Sequence, residues 1–338
     1  MTPRERVIQV LNHKQTDFMP YSISFTPGAW ENMVKYTGDE HFNRDWIPHM
    51  HTVMYSAWPT EMPDKKGYFK DEFGAVRNRS MDEREWGVIE DSIYDFEDNH
   101  YVFPPLDEKR WRGEIERMLE TRGDSFTFVS MGCSLYERSW TLAGMTNVLM
   151  AMIQYPTQLH ELYDKICNRN LCVIEIALEY DIDGFYFGDD WGSQRGLIMG
   201  ADHWRTYLKP RVKRYYELVN KSGKFVLAHS CGNIEAILGD FIEIGGNCYE
   251  TFQPELYDIA KIKKEYGKDM SFWGGISIQQ ILTHGTPEQV KDETIRTLRI
   301  MGEGGGYIAA PTHGITRDIP PANVLAMAEV FTNQSKYI

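Results

Sequence analysis

The chain has 338 residues, 42% hydrophobic and 25% charged, with a formal charge of −13. That is the composition of a folded globular protein, and the negative balance argues against a nucleic-acid binder or a partner of anionic membranes. No apolar run approaches the roughly 20 residues that span a bilayer, and Met1–Arg6 lacks a signal-peptide core, so a cytoplasmic location is expected. The five cysteines are odd in number and scattered, which speaks against a disulfide framework and for a reducing compartment.

In chain order, Thr2–Asn12 reads as a helix opened by a Thr2 cap with Pro3 at its first position. Met19–Phe25 reads as a first strand. Residues from about 30 to 102, rich in Trp, His, Asp and Glu, read as an insertion carrying helices and a small hairpin (Gly67-Tyr68-Phe69 and Gly74-Ala75-Val76) that partly covers a barrel mouth. His49 and His51 within it read mainly as packing residues. A rhythm follows. Strands are expected at Phe126–Met131, Gly184–Phe187, Lys224–His229, Asn247–Phe252, Met270–Trp273 and Gly306–Ala310. Helices between and after them are expected near Thr146–Tyr180, Ala201–Ser222, Ile234–Ile244, Ile259–Tyr266, Pro287–Met301 and Pro321–Phe331. Strands alternating with helices imply right-handed βαβ units and a parallel sheet. Repeated this often, they predict an α/β fold, a single (β/α)8 TIM-type barrel over 1–338, with a doubly wound open sheet as the alternative. Neither a Gly-x-Gly-x-x-Gly after a strand nor a P-loop is present.

Catalytic groups of a barrel sit at the C-terminal strand ends. The apolar run Lys224–Ala228 ends in His229-Ser230-Cys231-Gly232. Residues i and i+2 of a strand face the same side, so an imidazole and a thiolate project together, a ligand pair that Zn²⁺ takes readily. Glu250 and His313, at two other strand ends, are candidates to complete the set, His313 also as a catalytic or substrate-bonding group. Asp189 and Asp190 are the acid–base candidates; their alternative use is to cap a helix or to pair with Arg195. Tyr186, Trp191 and Trp273 are the candidates for substrate binding.

These residues carry a resemblance. The chain resembles the uroporphyrinogen decarboxylase superfamily in Arg4-Glu5-Arg6-Val7, Asp17-Phe18-Met19-Pro20, Phe272-Trp273-Gly274-Gly275-Ile276 and the tail from Tyr307 to Val324, with His313-Gly314-Ile315 and Asp318-Ile319-Pro320-Pro321. The resemblance implies a (β/α)8 barrel. True decarboxylases of the superfamily carry an Arg-Gln-Ala-Gly-Arg loop after the first strand for an acidic tetrapyrrole; here that place reads Phe25-Thr26-Pro27-Gly28-Ala29-Trp30, without arginine, although His313 matches a histidine of that branch. The corrinoid-dependent methyltransferase branch uses His-x-Cys as zinc ligands, which His229 and Cys231 match. Its coenzyme M transferases add a later Cys where this chain has His313, and Glu250 lies where some zinc methyltransferases place a glutamate ligand. The resemblance thus implies Zn²⁺, a corrinoid (cobalamin) carried by a partner protein, a small methylated substrate (an aryl methyl ether favoured) as methyl donor, and a homodimer. Methylation of a thiol by a methylcorrinoid is the alternative direction. Decarboxylation, or non-catalytic tetrapyrrole binding with a structural His229–Cys231 pair, are the others.

Overall fold

The computed structural model describes residues 1–55, 57–80 and 87–338. Seven parallel strands form one curled sheet in the order β1 (Met50–Tyr55), β2 (Phe126–Met131), β3 (Gly184–Gly188), β4 (Phe225–His229), β5 (Cys248–Phe252), β6 (Ser271–Ile276) and β7 (Tyr307–Pro311). Spatial order equals chain order, as right-handed crossovers through helices require. The eighth position of this TIM-type barrel belongs to Pro20–Phe25, which touches the sheet only through parallel bridges Tyr21↔Ala309 and Phe25↔Ile315. The first strand expected from the sequence is therefore two bridges, not a ladder. Pro20 brings no N–H to such a ladder.

The missing ladder lies inside the stretch read as an insertion: Met50–Tyr55 is a barrel strand, paired along its whole length with Phe126–Met131. Between it and Tyr21 the barrel has a seam, closed by side chains. The Tyr21 hydroxyl accepts from the Ile47 N–H at 2.7 Å, Ser125 donates to the Pro48 carbonyl at 2.5 Å, and the His49 ring stands edge-on to Tyr21 at 4.9 Å and stacked on Phe18 at 6.2 Å. His49 is core packing, as expected; His51 points outward to Thr121 at 3.1 Å.

Strand parity sorts the side chains into two cores. Phe126, Phe128, Leu227, Cys248 and Ile308 fill the barrel interior with Val7, Val10 and Leu11 of α1 (Pro3–Leu11), which plugs the bottom. Arg4 fixes that plug through a two-pronged ion pair to the buried Asp183, at 2.9 and 2.6 Å. The alternate residues, Val226, Ala228, Phe185, Phe187 and Tyr249 among them, pack outward against the helices. The long helical tract expected from Thr146 to Tyr180 is broken at Tyr155–Pro156 into Met145–Gln154 and Pro156–Leu178, because the residue before a proline avoids the helical region.

The expected hairpin is present and larger. Thr60–Glu61, Tyr68–Lys70, Val76–Asn78 and Val88–Ile89 make a four-stranded antiparallel sheet. Two ion pairs hold this segment to the barrel: Arg138–Asp71 at 2.7 Å, both side chains 8% exposed, and Arg169–Glu72 at 2.8 Å.

Burial pulls the His49 imidazole down to about 4. Between the unfolded value near 6.5 and that figure the unfolded chain takes up a proton that the native chain refuses, so stability falls as pH falls through this window, by ~1.4 kcal/mol per unit. In His49→Phe, the stability difference between pH 7 and pH 4.5, read by urea unfolding, is expected to shrink by about 2–3 kcal/mol; an unchanged difference contradicts the assignment.

Candidate metal centre at the barrel mouth

Parity carries His229 inward. Leu227 lies in the interior core, so His229, two residues on, faces the same way one layer higher. Register places it beside Glu250 on one side and Gly188 on the other. The layer beneath holds Tyr186 and Trp273, their rings 5.6 Å apart, and Phe128 at 6.1 Å from Trp273. These rings form a floor. Trp273 donates its indole N–H to Ser22 at 2.8 Å.

On that floor stands a network. His229 Nδ1 meets Glu250 Oε2 at 2.5 Å, and the Tyr186 hydroxyl donates to the same oxygen at 2.6 Å. His229 Nε2 lies 3.1 Å from Asp190 Oδ1 and 3.6 Å from Cys231 Sγ. The Cys231 N–H donates to Asp190 at 2.9 Å. The His313 ring stands 6.0 Å from that of His229, centre to centre. One ligand atom each of His229, Cys231 and His313 lie within 4.8 Å of one another. Gly232 explains the tight exit after Cys231: its φ of 78° suits glycine, and a Cβ there would sit 2.3 Å from the Gly192 backbone.

Burial alone would lower the His229 imidazole, but Tyr186, Glu250, Asp190 and Cys231 around it hold it well above its ordinary value. His313 is lowered by burial and by His229. Burial works to raise Asp190, yet the His229 ring and the Cys231 N–H keep it down at about 2.

Two imidazoles and a thiolate are a donor set suited to zinc, with further positions free for other ligands. Glu250 stands behind His229 on the opposite ring nitrogen. That is the carboxylate–imidazole arrangement that fixes which nitrogen is presented to a metal. Coordination at Nε2 requires its proton to leave.

The structure separates the two aspartates. Asp190 lies against the ligand cluster, its Oδ1 3.1 Å from His229 Nε2. Asp189 is fully buried and accepts from the backbone N–H groups of Leu135, Tyr136 and Glu137 at 3.3, 2.9 and 2.7 Å, and from the Trp191 indole at 2.8 Å. It caps the helix Tyr136–Ala143, so its expected acid–base role is corrected to a structural one. Trp191 is likewise 2% exposed and packed on Trp204 at 5.3 Å between ring centres, away from the substrate-binding place expected for it. Tyr186 and Trp273 do lie beneath the ligand cluster.

One group at the mouth had no signal in the sequence. Glu137, on the first turn of the helix that Asp189 caps, is raised to about 8 by burial, then by Asp190 and Asp189. Nothing about Leu135-Tyr136-Glu137-Arg138 announces this, because the acids that act on it come from another strand end.

Residues 131–334, more than half of the chain, match the uroporphyrinogen decarboxylase (URO-D) family model. The chain belongs to the URO-D family. It is 24% identical over 188 residues to uroporphyrinogen decarboxylase of Chlorobaculum tepidum, covering 54% of this chain and 51% of that protein. It is 28% identical over 130 residues to methylcobamide:CoM methyltransferase MtaA of Methanosarcina barkeri, covering 38% of this chain and 36% of that one. The first of these alignments thus spans about half of the curated relative, the second about a third. Among solved structures, a methyltransferase from Methanosarcina mazei shares the fold with a TM-score of 0.71 at 18% identity, over 99% of both chains. URO-D membership and the barrel, both expected from the resemblance, are borne out.

Asp189→Ala leaves three backbone N–H groups and an indole N–H unpaired inside the core. It is expected to cost roughly 3–5 kcal/mol in urea unfolding while the folded fraction keeps its metal affinity. Lost metal affinity with unchanged stability would instead place Asp189 in the cavity.

Proposed function

We propose that this URO-D family member is a zinc-dependent, corrinoid-dependent methyltransferase. It removes a methyl group from a small methylated substrate, an aryl methyl ether by preference, and passes it to cobalt on a separate corrinoid protein at the mouth. The observation that carries the reading is the convergence of His229, Cys231 and His313 above an aromatic floor. Similarity to the MtaA methyltransferase supports the class.

His229 Nε2, Cys231 Sγ and His313 would hold zinc, which when bound supplies Lewis acidity toward the departing ether oxygen. Glu250 keeps the Nδ1 proton of His229 in place. Tyr186 and Trp273 offer ring faces and edges against which an arene packs, with the methyl carbon left pointing out of the barrel. Asp190, held as the anion, accepts a hydrogen bond from a hydroxyl neighbouring the ether. Glu137, raised to about 8 by burial and then by Asp190 and Asp189, is assigned as the proton donor to the departing phenolate.

The reverse direction, methylcorrinoid to thiol, is the second reading, favoured by the printed activity of MtaA and disfavoured by a third ligand that is His313 rather than cysteine. The proposal takes 1–338 as one barrel domain with the stretch from about 30 to 102 largely inserted over the mouth. It also takes the protein as a cytoplasmic homodimer. All five cysteines are free thiols, which supports a reducing compartment. Among the described residues no helix is long and apolar enough to cross a membrane.

Elemental analysis beside a cobalt spectrum tests the reading. Stoichiometric zinc is expected in the wild type and none in His229→Ala, Cys231→Ser or His313→Ala. Glu250→Gln is expected to weaken zinc binding by about 10–100-fold. With a reduced corrinoid protein and methoxyarenes, methylcobalt is expected to form with the wild type and not with the three ligand variants. Turnover by zinc-free protein removes the Lewis-acid role, and consumption of uroporphyrinogen alone removes the methyltransferase.

A further inference from the structure

Exposed apolar side chains gather in one place outside the site. Among the described residues ten large apolar side chains are exposed, and five of them, Ile93, Val102, Met145, Met150 and Ile153, belong to the segment 92–102 and the helix Met145–Gln154. Val102 is 83% exposed and Ile153 76%. Clustered apolar groups left in water mark an interaction surface, whereas single ones need no explanation. The helix shows this in its own pattern. Val148, Ala151 and Met152 form its buried side, and Met150 and Ile153, one turn apart, stand opposite.

Between the two segments runs a groove of about 830 Å³. Ile93, Val102 and Met150 supply apolar lining, and Asp95, Glu97 and Asp98 supply charge. Among the described residues no Lys or Arg lines it. Its outer wall is pinned to the barrel. The Ile93 and Tyr94 N–H groups donate to the Leu142 carbonyl at 2.8 and 3.0 Å, and the Ser92 hydroxyl donates to that of Ala143 at 2.9 Å. Phe96 stacks on Tyr155 at 6.2 Å, and the Tyr155 hydroxyl donates to Glu97.

Helix length gives the place of the groove in the fold. Pro156–Leu178 has 23 residues, about 34 Å, and leads to the start of β3, whose five residues span only about 17 Å. In a βαβ unit the helix runs antiparallel to the strand it feeds, so the first residues of this one stand at the mouth end of the barrel and beyond. Tyr155, immediately before them, lines the groove. The groove therefore lies beside the mouth, on the outside of the rim.

Charge selects the occupant. A second copy of this chain would bring a formal charge of −13 to a rim that is itself acidic. A partner whose apolar side chains are flanked by Lys and Arg matches both features of the groove. We infer that the corrinoid protein docks in this groove through a basic amphipathic segment, its apolar side on Val102 and Met150 and its cations on the Asp95 and Asp98 side. This rests on the methyl-transfer reading for the identity of the partner. A grip beside the mouth leaves the opening itself to the corrinoid.

Steady-state methyl transfer by the zinc-loaded full chain reads the surface. The corrinoid protein of the methylcobalt assay is the varied substrate, and free reduced cobalamin is a second acceptor that needs no docking. The double variant Val102→Ser, Met150→Ser and the single variant Asp98→Lys are each expected to raise KM for the corrinoid protein by about tenfold, as loss of an anchoring contact does. Both are expected to leave kcat, transfer to free cobalamin and thermal melting unchanged, since all three side chains are exposed. Calorimetric titration with the same protein is expected to show the same loss in Kd. Added salt is expected to weaken wild-type binding more steeply than that of Asp98→Lys. An unchanged KM and Kd in both variants overturns the docking site and leaves methyl transfer standing. Equal losses with protein-bound and free corrinoid overturn it as well, because they report a damaged barrel. A wild-type dimer that the variants dissociate, seen by sedimentation, gives the groove to a second copy instead. Groove-dependent binding without methylcobalt from either acceptor overturns the methyl-transfer reading alone.

Discussion

The mouth of this barrel is organised by one contact, Glu250 Oε2 against His229 Nδ1. An imidazole offers two nitrogens, and the hydrogen bond made by one sets which of them is presented to a metal. With Glu250 on Nδ1 and Tyr186 steadying Glu250 from below, Nε2 is turned toward Cys231 and Asp190 and into the space shared with His313. Burying a carboxylate, an imidazole and a second carboxylate together is costly unless each is paired. Here the pairing is supplied by the sheet itself. Parallel register places residues 229 and 250 side by side on the inner face, so a local pattern on each strand becomes a contact between strands.

That explains how much was legible. His229 and Cys231 announce themselves because their spacing lies within one strand, and the period-two rule applies without knowledge of the fold. Glu250 and His313 were found as strand-end residues, but their different relations to His229 follow from register, which one sequence does not display. Asp189 and Asp190 are adjacent and chemically identical. Only the position of the helix beginning at Tyr136 decides that one caps it and the other meets His229. Trp191 was misread for the same reason, since its indole belongs to the Asp189 cap. Among the strands, those with unbroken β-rich runs were read correctly. Met50–Tyr55 was not, because His51, Thr52 and Met54 give it a mixed pattern and its flanks look like an aromatic loop.

Net charge was the least informative guide to the site. A formal charge of −13 suggests that an acidic substrate is unwelcome, yet charges farther than the Debye length of about 10 Å in ordinary salt are largely screened. What counts is the local balance, and the acids of the mouth are already engaged. Glu250 is taken by His229 and Tyr186, Asp190 by His229 and the Cys231 N–H, and Asp189 by a helix terminus. Glu137 is raised to about 8 because it is buried and because Asp190 and Asp189 lie close.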